Sequence, residues 1–181
     1  MLPQAPSLPI TRPRASSSTV TTDVLAEVEQ AAAAAPAAPP FVWEHQWYPV
    51  LEDWADASRP HAVRLLGRDM VLWKDGDGVW RAADDACPHR LAPLSEGRVE
   101  EGRLHCAYHG WEFNGCGKCV KLPQAESEMA LKTALASPRS AVRTYPTTVA
   151  AGLVFVWPDP EIGAAARAAA AQPPPVPTEV K

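Results

Sequence analysis

Residues 87–113, CPHRLAPLSEGRVEEGRLHCAYHGWEF, decide how this sequence folds. Cys87 and His89 are separated by one residue, and Cys106 and His109, which follow after a gap of 16 residues, are separated by two. Each segment therefore supplies one thiolate and one imidazole, two of the side chains that bind transition metals. The pattern C-x-H followed by C-x-x-H predicts a metal centre built by two short loops.

Three interpretations of this pattern have to be compared. In a Rieske-type [2Fe–2S] centre, two cysteines bind one iron and two histidines bind the other. Structural zinc also uses two cysteines and two histidines, but zinc fingers keep like ligands together as C-x₂₋₄-C and H-x₃₋₅-H. Here each segment contains one cysteine and one histidine. Four ligand-type residues at these spacings are not expected by chance. The sequence predicts a [2Fe–2S] cluster held by Cys87, His89, Cys106 and His109, with no catalytic residue assigned.

The distribution of aromatic residues limits the folded unit. All seven Trp, three Phe and three Tyr lie between Phe41 and Trp157, as do all four Cys and all five His. Large apolar side chains build a core because burying each one contributes roughly 1.5–3 kcal/mol. The predicted organisation is a transit-peptide-like and linker segment at 1–40, the folded domain at 41–160 with cluster-binding loops at about 84–124, and a disordered Ala- and Pro-rich tail at 161–181.

Short β-like runs separated by Gly, Pro and Asp fill this domain, which predicts an all-β fold with little helix. A helical turn is expected near 126–135, and a marginal helix at 23–35 in the linker. The predicted strands are 42–49, 62–66, 69–74, 79–83, 97–100, 111–114, 141–149 and 152–157.

Composition and charge argue against nucleic-acid binding and against a transmembrane segment. The net charge is −4 with mixed signs and no basic stripe, so nucleic-acid binding is not predicted. No apolar run reaches the roughly 18–20 residues of a transmembrane segment. Residues 1–22 contain two Arg, four Ser, four Thr and no acidic residue, which is typical of a chloroplast or mitochondrial transit peptide; a disordered Pro/Ala/Ser tail is the alternative.

The remaining Cys and His residues receive no ligand role. Cys116 and Cys119 form C-x-x-C, which indicates either a thiol–disulfide switch or, as the favoured interpretation, two reduced cysteines in a glycine turn. His105 precedes a predicted ligand but has the wrong spacing for the pattern. His45 and His61 are expected to be surface or packing residues.

The string C-P-H-R-L-A-P-L-S-E-G at 87–97, with C-A-Y-H-G-W at 106–111, resembles the pheophorbide a oxygenase group of plant and algal Rieske oxygenases. That group includes chlorophyllide a oxygenase and a 55-kDa subunit of the chloroplast import translocon. The segments at 43–50, 122–124 and 152–158 also match, so the resemblance covers about residues 41–160. It implies the Rieske fold of small antiparallel sheets and a chloroplast location.

The resemblance also implies an oxidoreductase active in chlorophyll catabolism. In the family, ferredoxin reduces the cluster, which passes one electron to an oxygen-activating mononuclear iron held by a 2-His-1-carboxylate triad. No His follows His109 and the sequence ends at Lys181, so the mononuclear site is not expected in this chain. Ferredoxin is the expected electron donor, and the other partner is an oxygenase catalytic domain or a membrane complex. The open alternatives are an oxygenase fragment, a free-standing Rieske ferredoxin, or a redox-sensing subunit of a chloroplast envelope complex.

The family comparison extends to the reduction potential. Rieske proteins of the cytochrome complexes carry a disulfide whose cysteines lie five residues after the first Cys ligand and two after the second. Those positions are Ala92 and Tyr108 here, so this disulfide cannot form. The expected potential lies near the bottom of the Rieske range, at roughly −150 mV.

Overall fold

The computed structural model describes residues 40–171 of the chain, and this part consists mainly of short antiparallel strands. The prediction of an all-β fold is confirmed. In chain order the strands are β1 (Tyr48–Glu52), β2 (His61–Leu65), β3 (Arg68–Lys74), β4 (Trp80–Asp84), β5 (Arg98–Glu100), β6 (Arg103–His105), β7 (Glu112–Phe113), β8 (Cys119–Lys121), β9 (Thr144–Tyr145), β10 (Thr147–Ala150) and β11 (Leu153–Val156).

The strands form three antiparallel sheets. The first has the order β1-β11-β10 and pairs the beginning of the domain with its end. The second has the order β2-β3-β4-β9 and forms the centre. The third has the order β5-β6-β7-β8 and contains the predicted second ligand loop between β6 and β7.

Two α-helices and two 3₁₀ turns complete the described part. The helices are α1 (Glu128–Ala136) and α2 (Ala164–Ala170), and the 3₁₀ turns are Trp43–His45 and Pro138–Ser140. Helix α1 begins after Ser127, whose hydroxyl accepts a hydrogen bond from the Ala130 amide at 3.1 Å. This confirms the helical turn expected near 126–135. Neither helix has the length and apolar character needed to cross a membrane.

Strand β3 divides the interior into two packed regions. Met70 and Leu72 enter one region, whereas Val71 and Trp73 enter the other, and all four side chains are fully buried. Successive side chains of a strand point to opposite faces, so a strand covered on both sides reads as a continuous apolar run. The region that receives Val71 and Trp73 also contains the predicted ligands Cys87 and Cys106.

Two predicted strands differ from the structure. The first part of the run 42–49 forms the 3₁₀ turn, and the strand begins only at Tyr48. The run 141–149 is divided by Pro146, which has no amide hydrogen to continue a ladder. Tyr145 pairs with Ala82 in the second sheet, whereas Thr147 pairs with Val156 in the first.

The chain after the last strand is ordered by specific contacts. A disordered tail is expected from residue 161, but α2 packs Ala164 and Ala168 against Trp157. Arg167 also bonds the buried Asp159 carboxylate through Nε at 2.6 Å. The prediction is therefore corrected for residues 161–171, because side-chain contacts outweigh the low-complexity composition there. The predictions for residues 1–39 and 172–181 lie outside the described residues.

Candidate metal centre

The first ligand loop joins β4 to β5 and carries Cys87 and His89. The Cys87 amide donates a hydrogen bond to the Ala92 carbonyl at 2.8 Å, and the Leu91 amide donates to the Cys87 carbonyl at 2.7 Å. These two bonds fold residues 87–92 into a tight turn. Both predicted ligands of this loop are therefore held by the same turn.

The second ligand loop joins β6 to β7 and repeats this backbone pattern. The Cys106 amide donates to the Trp111 carbonyl at 2.9 Å, and the Gly110 amide donates to the Cys106 carbonyl at 3.0 Å. In both loops, the cysteine donates to the fifth residue after it and accepts from the fourth. The loops are equivalent in their backbone bonding, although His109 lies one residue further from its cysteine than the first histidine does.

The four predicted ligands lie together as two pairs of like residues. Cys87 and Cys106 are each 1% exposed and belong to one buried cluster, and Cys106 lies close enough to contribute to the raised pKa of Cys87. The rings of His89 and His109 have centroids 4.6 Å apart at an angle of 61°. Both histidines are only partly buried. The cysteine pair thus forms the inner end of the site and the histidine pair its outer end.

This arrangement fits a binuclear cluster better than a single ion. Among residues 40–171, no three or more His, Cys, Asp or Glu side chains are grouped so that they could hold one metal ion. Zinc in a structural site takes four protein ligands around one centre, whereas each iron of a Rieske cluster takes only two. The pairing of like ligands matches the second requirement.

The surroundings of the His89 ring fit the predicted role of a metal ligand. Its Nδ1 atom is buried and has no hydrogen-bond partner in the described part of the chain. Burial, with the nearby His109 and Arg90, lowers the pKa of His89 and so favours the neutral imidazole. Metals bind the neutral ring, and an unpartnered buried nitrogen is costly unless something else occupies it.

Burial at the cysteine end of the site disfavours the thiolate form. Burial, with a smaller contribution from Cys106, raises the pKa of Cys87 to about 12. Metal ligation requires the thiolate, and a buried thiolate needs a compensating positive charge nearby. The donor set therefore fits a cluster whose iron replaces the thiol proton.

Aromatic side chains cover the histidines unequally. The Trp111 ring stacks on His89 with centroids 4.9 Å apart and an interplanar angle of 5°. Tyr108 lies 3.9 Å from the His109 ring, and it is 62% exposed. A cavity of about 250 Å³ opens beside His89, between Trp111 and helix α1. The histidine end is thus braced on one side and accessible on another.

Residues at the base of each loop were not recognised in the sequence. The Asp85 carboxylate accepts hydrogen bonds from the Ser95 amide at 2.7 Å and the Ser95 hydroxyl at 2.5 Å. The buried pair His105 and Glu112 occupies opposite positions of the β6–β7 ladder, with Nδ1 and Oε1 3.6 Å apart. The sequence signal for them was an acidic residue next to each ligand loop, Asp85 and Glu112. An acidic residue at such a position is more often a solvated surface charge.

Glu112 is ionised at neutral pH despite its burial. Burial alone would raise its pKa, but Lys121 at 2.6 Å and Arg103 at 2.9 Å outweigh this effect and lower the pKa. The three charges fix the strand that leaves the second loop. His105 packs beside this group, with its Nδ1 atom 3.6 Å from the Glu112 carboxylate.

The C-x-x-C cysteines are free thiols with different surroundings. Cys116 is exposed in the turn between β7 and β8. Cys119 is 1% exposed, packs in the same buried cluster as Cys87, and donates to the Lys121 carbonyl at 3.4 Å. Burial raises the pKa of Cys119, which favours its protonated form.

The two remaining histidines contact residues away from the metal centre. His45 stacks on Trp157 and lies 3.3 Å from the Asp159 carboxylate. His61 packs against the Trp80 ring and its Nε2 lies 2.7 Å from the Asp56 carbonyl. Both contacts agree with the packing roles expected from the sequence.

Comparison with known protein families places residues 46–146 in the Rieske [2Fe-2S] domain family. Among curated relatives, the chain is 54% identical over 123 residues to pheophorbide a oxygenase, chloroplastic, of Arabidopsis thaliana, covering 66% of this chain and 23% of that protein. It is 52% identical over 143 residues to the Oryza sativa subsp. japonica protein of the same name, covering 77% and 26%. The chain thus spans about a quarter of the length of these relatives.

Two further similarities extend this comparison. Protein TIC 55, chloroplastic, of Arabidopsis thaliana is 41% identical over 128 residues, which cover 67% of this chain and 23% of that protein. Among solved structures, apo dicamba monooxygenase superposes with a TM-score of 0.57 at 35% identity, covering 65% of this chain and 34% of that one.

Proposed function

The chain belongs to the Rieske [2Fe-2S] domain family, and from this premise we propose that it relays single electrons in a chloroplast oxygenase of the pheophorbide a oxygenase type. The observation that carries the proposal is the arrangement of two buried thiols and two partly buried imidazoles as like pairs at the tips of two equivalent loops. The 54% identity to a chloroplast pheophorbide a oxygenase supports the choice of enzyme type.

The proposed ligands have different roles, which follow from their burial. Cys87 and Cys106 anchor the inner end, where burial excludes water from the thiolates. His89 and His109 hold the outer end, close enough to the surface for electrons to enter and leave. When bound, a Rieske cluster supplies reversible one-electron chemistry at its histidine-ligated iron. Trp111 fixes the plane of the His89 ring by stacking on it.

The potential of this centre is proposed to be low for its class. Ala92 occupies the position of the first cysteine of the additional disulfide found in high-potential Rieske proteins, and Tyr108 that of the second. The proposed value is roughly −150 mV, at the low end of the Rieske range. This range suits a centre that accepts electrons from a ferredoxin, which is the proposed donor.

The complete reaction requires a second centre. We propose that the electron acceptor is a mononuclear iron in an oxygenase catalytic domain, as in the Rieske oxygenases to which the chain is similar. The substrate-binding residues are proposed to belong to that domain, and this chain spans about a quarter of the length of its curated relatives. The chloroplast location is proposed from the relatives named chloroplastic.

Metal analysis and EPR test this proposal. The purified chain should contain two irons and two acid-labile sulfides, and reduction should give a Rieske-type EPR signal with a low average g-value. Reduced ferredoxin should then reduce the cluster in a stopped-flow experiment. One zinc per chain with no EPR signal would instead identify a zinc-dependent module and overturn the proposal.

The similarity to Protein TIC 55 favours a second candidate, a redox-sensing subunit of a chloroplast envelope complex. Affinity capture from chloroplast envelopes separates the two functions. Recovery of import components together with the chain would favour the sensing role. Recovery of ferredoxin and an oxygenase catalytic domain without import components would favour the electron relay.

A further inference from the structure

The first ligand loop is closed at its base by one side chain. Asp85 directly follows β4, and its own amide donates to the Asp69 carbonyl of β3 at 3.0 Å. Its two carboxylate oxygens accept the amide and the hydroxyl of Ser95, ten residues further along. Asp85 therefore ties both ends of the segment that carries Cys87 and His89 to the central sheet.

Within this segment, backbone hydrogen bonds are confined to the turn that Cys87 forms with Leu91 and Ala92, and none of them joins this turn to Asp85 or Ser95. Pro88 and Pro93 have no amide hydrogen to donate, and Leu91 has a left-handed backbone with φ of 57°, which is strained for a residue with a side chain. Closing a flexible loop also costs conformational entropy. A segment of this kind needs an external constraint to keep two ligands in place.

The second loop has a different constraint. Its ends, His105 and Glu112, are paired residues of a β-ladder, so the sheet itself closes the loop. No equivalent ladder pair joins Asp85 to Ser95, since the chain leaves β4 at Asp84 and re-enters a strand only at Arg98. The carboxylate of Asp85 thus replaces in the first loop what backbone pairing provides in the second.

We propose that Asp85 is a positioning residue for the cluster: by binding Ser95 it holds Cys87 and His89 in their ligating arrangement before the cluster binds, and it slows loss of the cluster afterwards. The inference rests on the proposed function, because it takes these two residues as ligands. Asp85 itself contacts Ser95 rather than the ligands, so its effect is transmitted through the loop backbone.

The test uses the full chain as isolated and a set of matched variants. Ser95→Ala removes only the hydroxyl bond, Asp85→Ala removes both bonds, and Ser95→Thr retains both. Tyr145→Phe is the control, because it removes a hydrogen bond of similar length (2.6 Å) to the adjacent Asp84. Release of iron into excess chelator, hydrogen exchange of the peptide spanning 85–95, the EPR spectrum and Tm are measured for each variant.

Loss of one hydrogen bond to a charged acceptor should open the loop about tenfold more often. Ser95→Ala should therefore release iron and exchange the 85–95 amides about tenfold faster, and Asp85→Ala faster still with a broadened EPR signal. Ser95→Thr and Tyr145→Phe should remain within about twofold of the native release rate, even where Tyr145→Phe lowers Tm. If Asp85→Ala does not fold, the Ser95 pair of variants decides the question.

Two outcomes would overturn the inference. One is release of iron from Ser95→Ala at the native rate, and the other is a rate no greater than that of Tyr145→Phe at an equal loss of Tm. Failure of the proposed function is distinguishable, because the native chain would then lack two irons and two sulfides. The hydrogen exchange of segment 85–95 in Ser95→Ala still decides whether Asp85 constrains the loop.

Discussion

Leu91 and Gly110 occupy equivalent positions in the two ligand loops. Each donates its amide to the carbonyl of the cysteine four residues earlier, and each has a left-handed backbone, with φ of 57° and 68°. Glycine adopts this conformation without steric cost, whereas leucine does not. The Leu91 side chain is also 75% exposed, so the first loop is held in this shape mainly by its hydrogen bonds.

Replacing Gly110 with alanine should destabilise the second loop by about 1–2 kcal/mol, because the new Cβ is strained at a positive φ and lies 3.3 Å from Pro123. Urea unfolding gives the stability, and the EPR linewidth reports cluster geometry. Gly67→Ala is the matched control, since Gly67 has a similar φ of 78° and no neighbour within 4 Å of a Cβ. Both variants should lose stability, but only Gly110→Ala should alter the EPR spectrum; an unchanged spectrum would contradict the role assigned to this position.

Gly97 allows the two loops to meet. A Cβ at this position would lie 1.8 Å from the His105 carbonyl oxygen, at the point where β5 pairs with β6. Gly97→Ala should therefore separate these strands and cost about 3 kcal/mol or more. Chemical denaturation compares it with Gly76→Ala, whose Cβ would meet its nearest neighbour at an ordinary 3.5 Å. Equal stability of the two variants would show that the close approach is not required.

His89→Cys should retain a cluster at a lower potential, because a charged ligand replaces a neutral one. All-cysteine plant-type clusters lie near −400 mV, so a decrease of roughly 100–200 mV is expected for one exchanged ligand. Redox titration followed by circular dichroism or EPR measures the change. A midpoint potential equal to that of the native chain would exclude His89 as an iron ligand.

Cys87→Ala should abolish the cluster and lower the free energy of unfolding, since metal binding contributes to folding. Iron and sulfide contents and thermal denaturation measure the two effects. Cys116→Ser serves as the control, because this exposed thiol belongs to no predicted ligand pair. It should retain two irons per chain, and loss of iron from this variant would contradict the ligand assignment.

Asp159 should make the attachment of α2 dependent on pH. Burial alone would raise its pKa, but the Glu161 amide and Arg167 outweigh burial and lower the pKa below its ordinary value of 3.8. A carboxylate with a lowered pKa in the folded state stabilises the protein above its unfolded pKa, and this contribution is lost as pH falls through the folded value.

Asp159→Asn should therefore cost about 2 kcal/mol at pH 7, and this cost should shrink as the pH falls below the ordinary aspartate pKa of 3.8. Urea unfolding of both proteins at pH 7, 5 and 3 measures the difference. Asp56→Asn, at an exposed aspartate whose pKa is also lowered, controls for general charge effects. A difference between native and Asp159→Asn that is constant across this range would refute the account.

The sequence predicted features that depend on local pattern. The continuous apolar run at 152–157 predicted β11, and the spacing of Cys87 and His89 predicts two ligands that the structure places on one tight turn. Strands β6 and β8, of three residues each, were missed because so short a run shows little periodicity. The similarly short β5 and β7 were predicted only within the longer runs 97–100 and 111–114. The attachment of α2 was missed because Arg167 meets Asp159 only after the chain has folded.

The residues that support the predicted ligand loops were also not predicted from the sequence. Ser95 lies ten residues after Asp85, and no sequence pattern predicts the hydrogen bond between the Ser95 hydroxyl and the Asp85 carboxylate. The same holds for Glu112, whose burial depends on the pairing of β7 with β6 and β8. Candidate ligands can be proposed from sequence because metal chemistry restricts their type and spacing, whereas the residues that support their loops follow from tertiary structure.

Pulsed EPR of the reduced chain labelled with ¹⁵N-histidine tests the central claim most directly. If His89 and His109 both bind iron, two histidine nitrogens should couple strongly to the electron spin, and His89→Cys should reduce the number to one. A reduced cluster with no coupled histidine nitrogen, or native and His89→Cys spectra with identical couplings, would contradict the proposed Rieske centre.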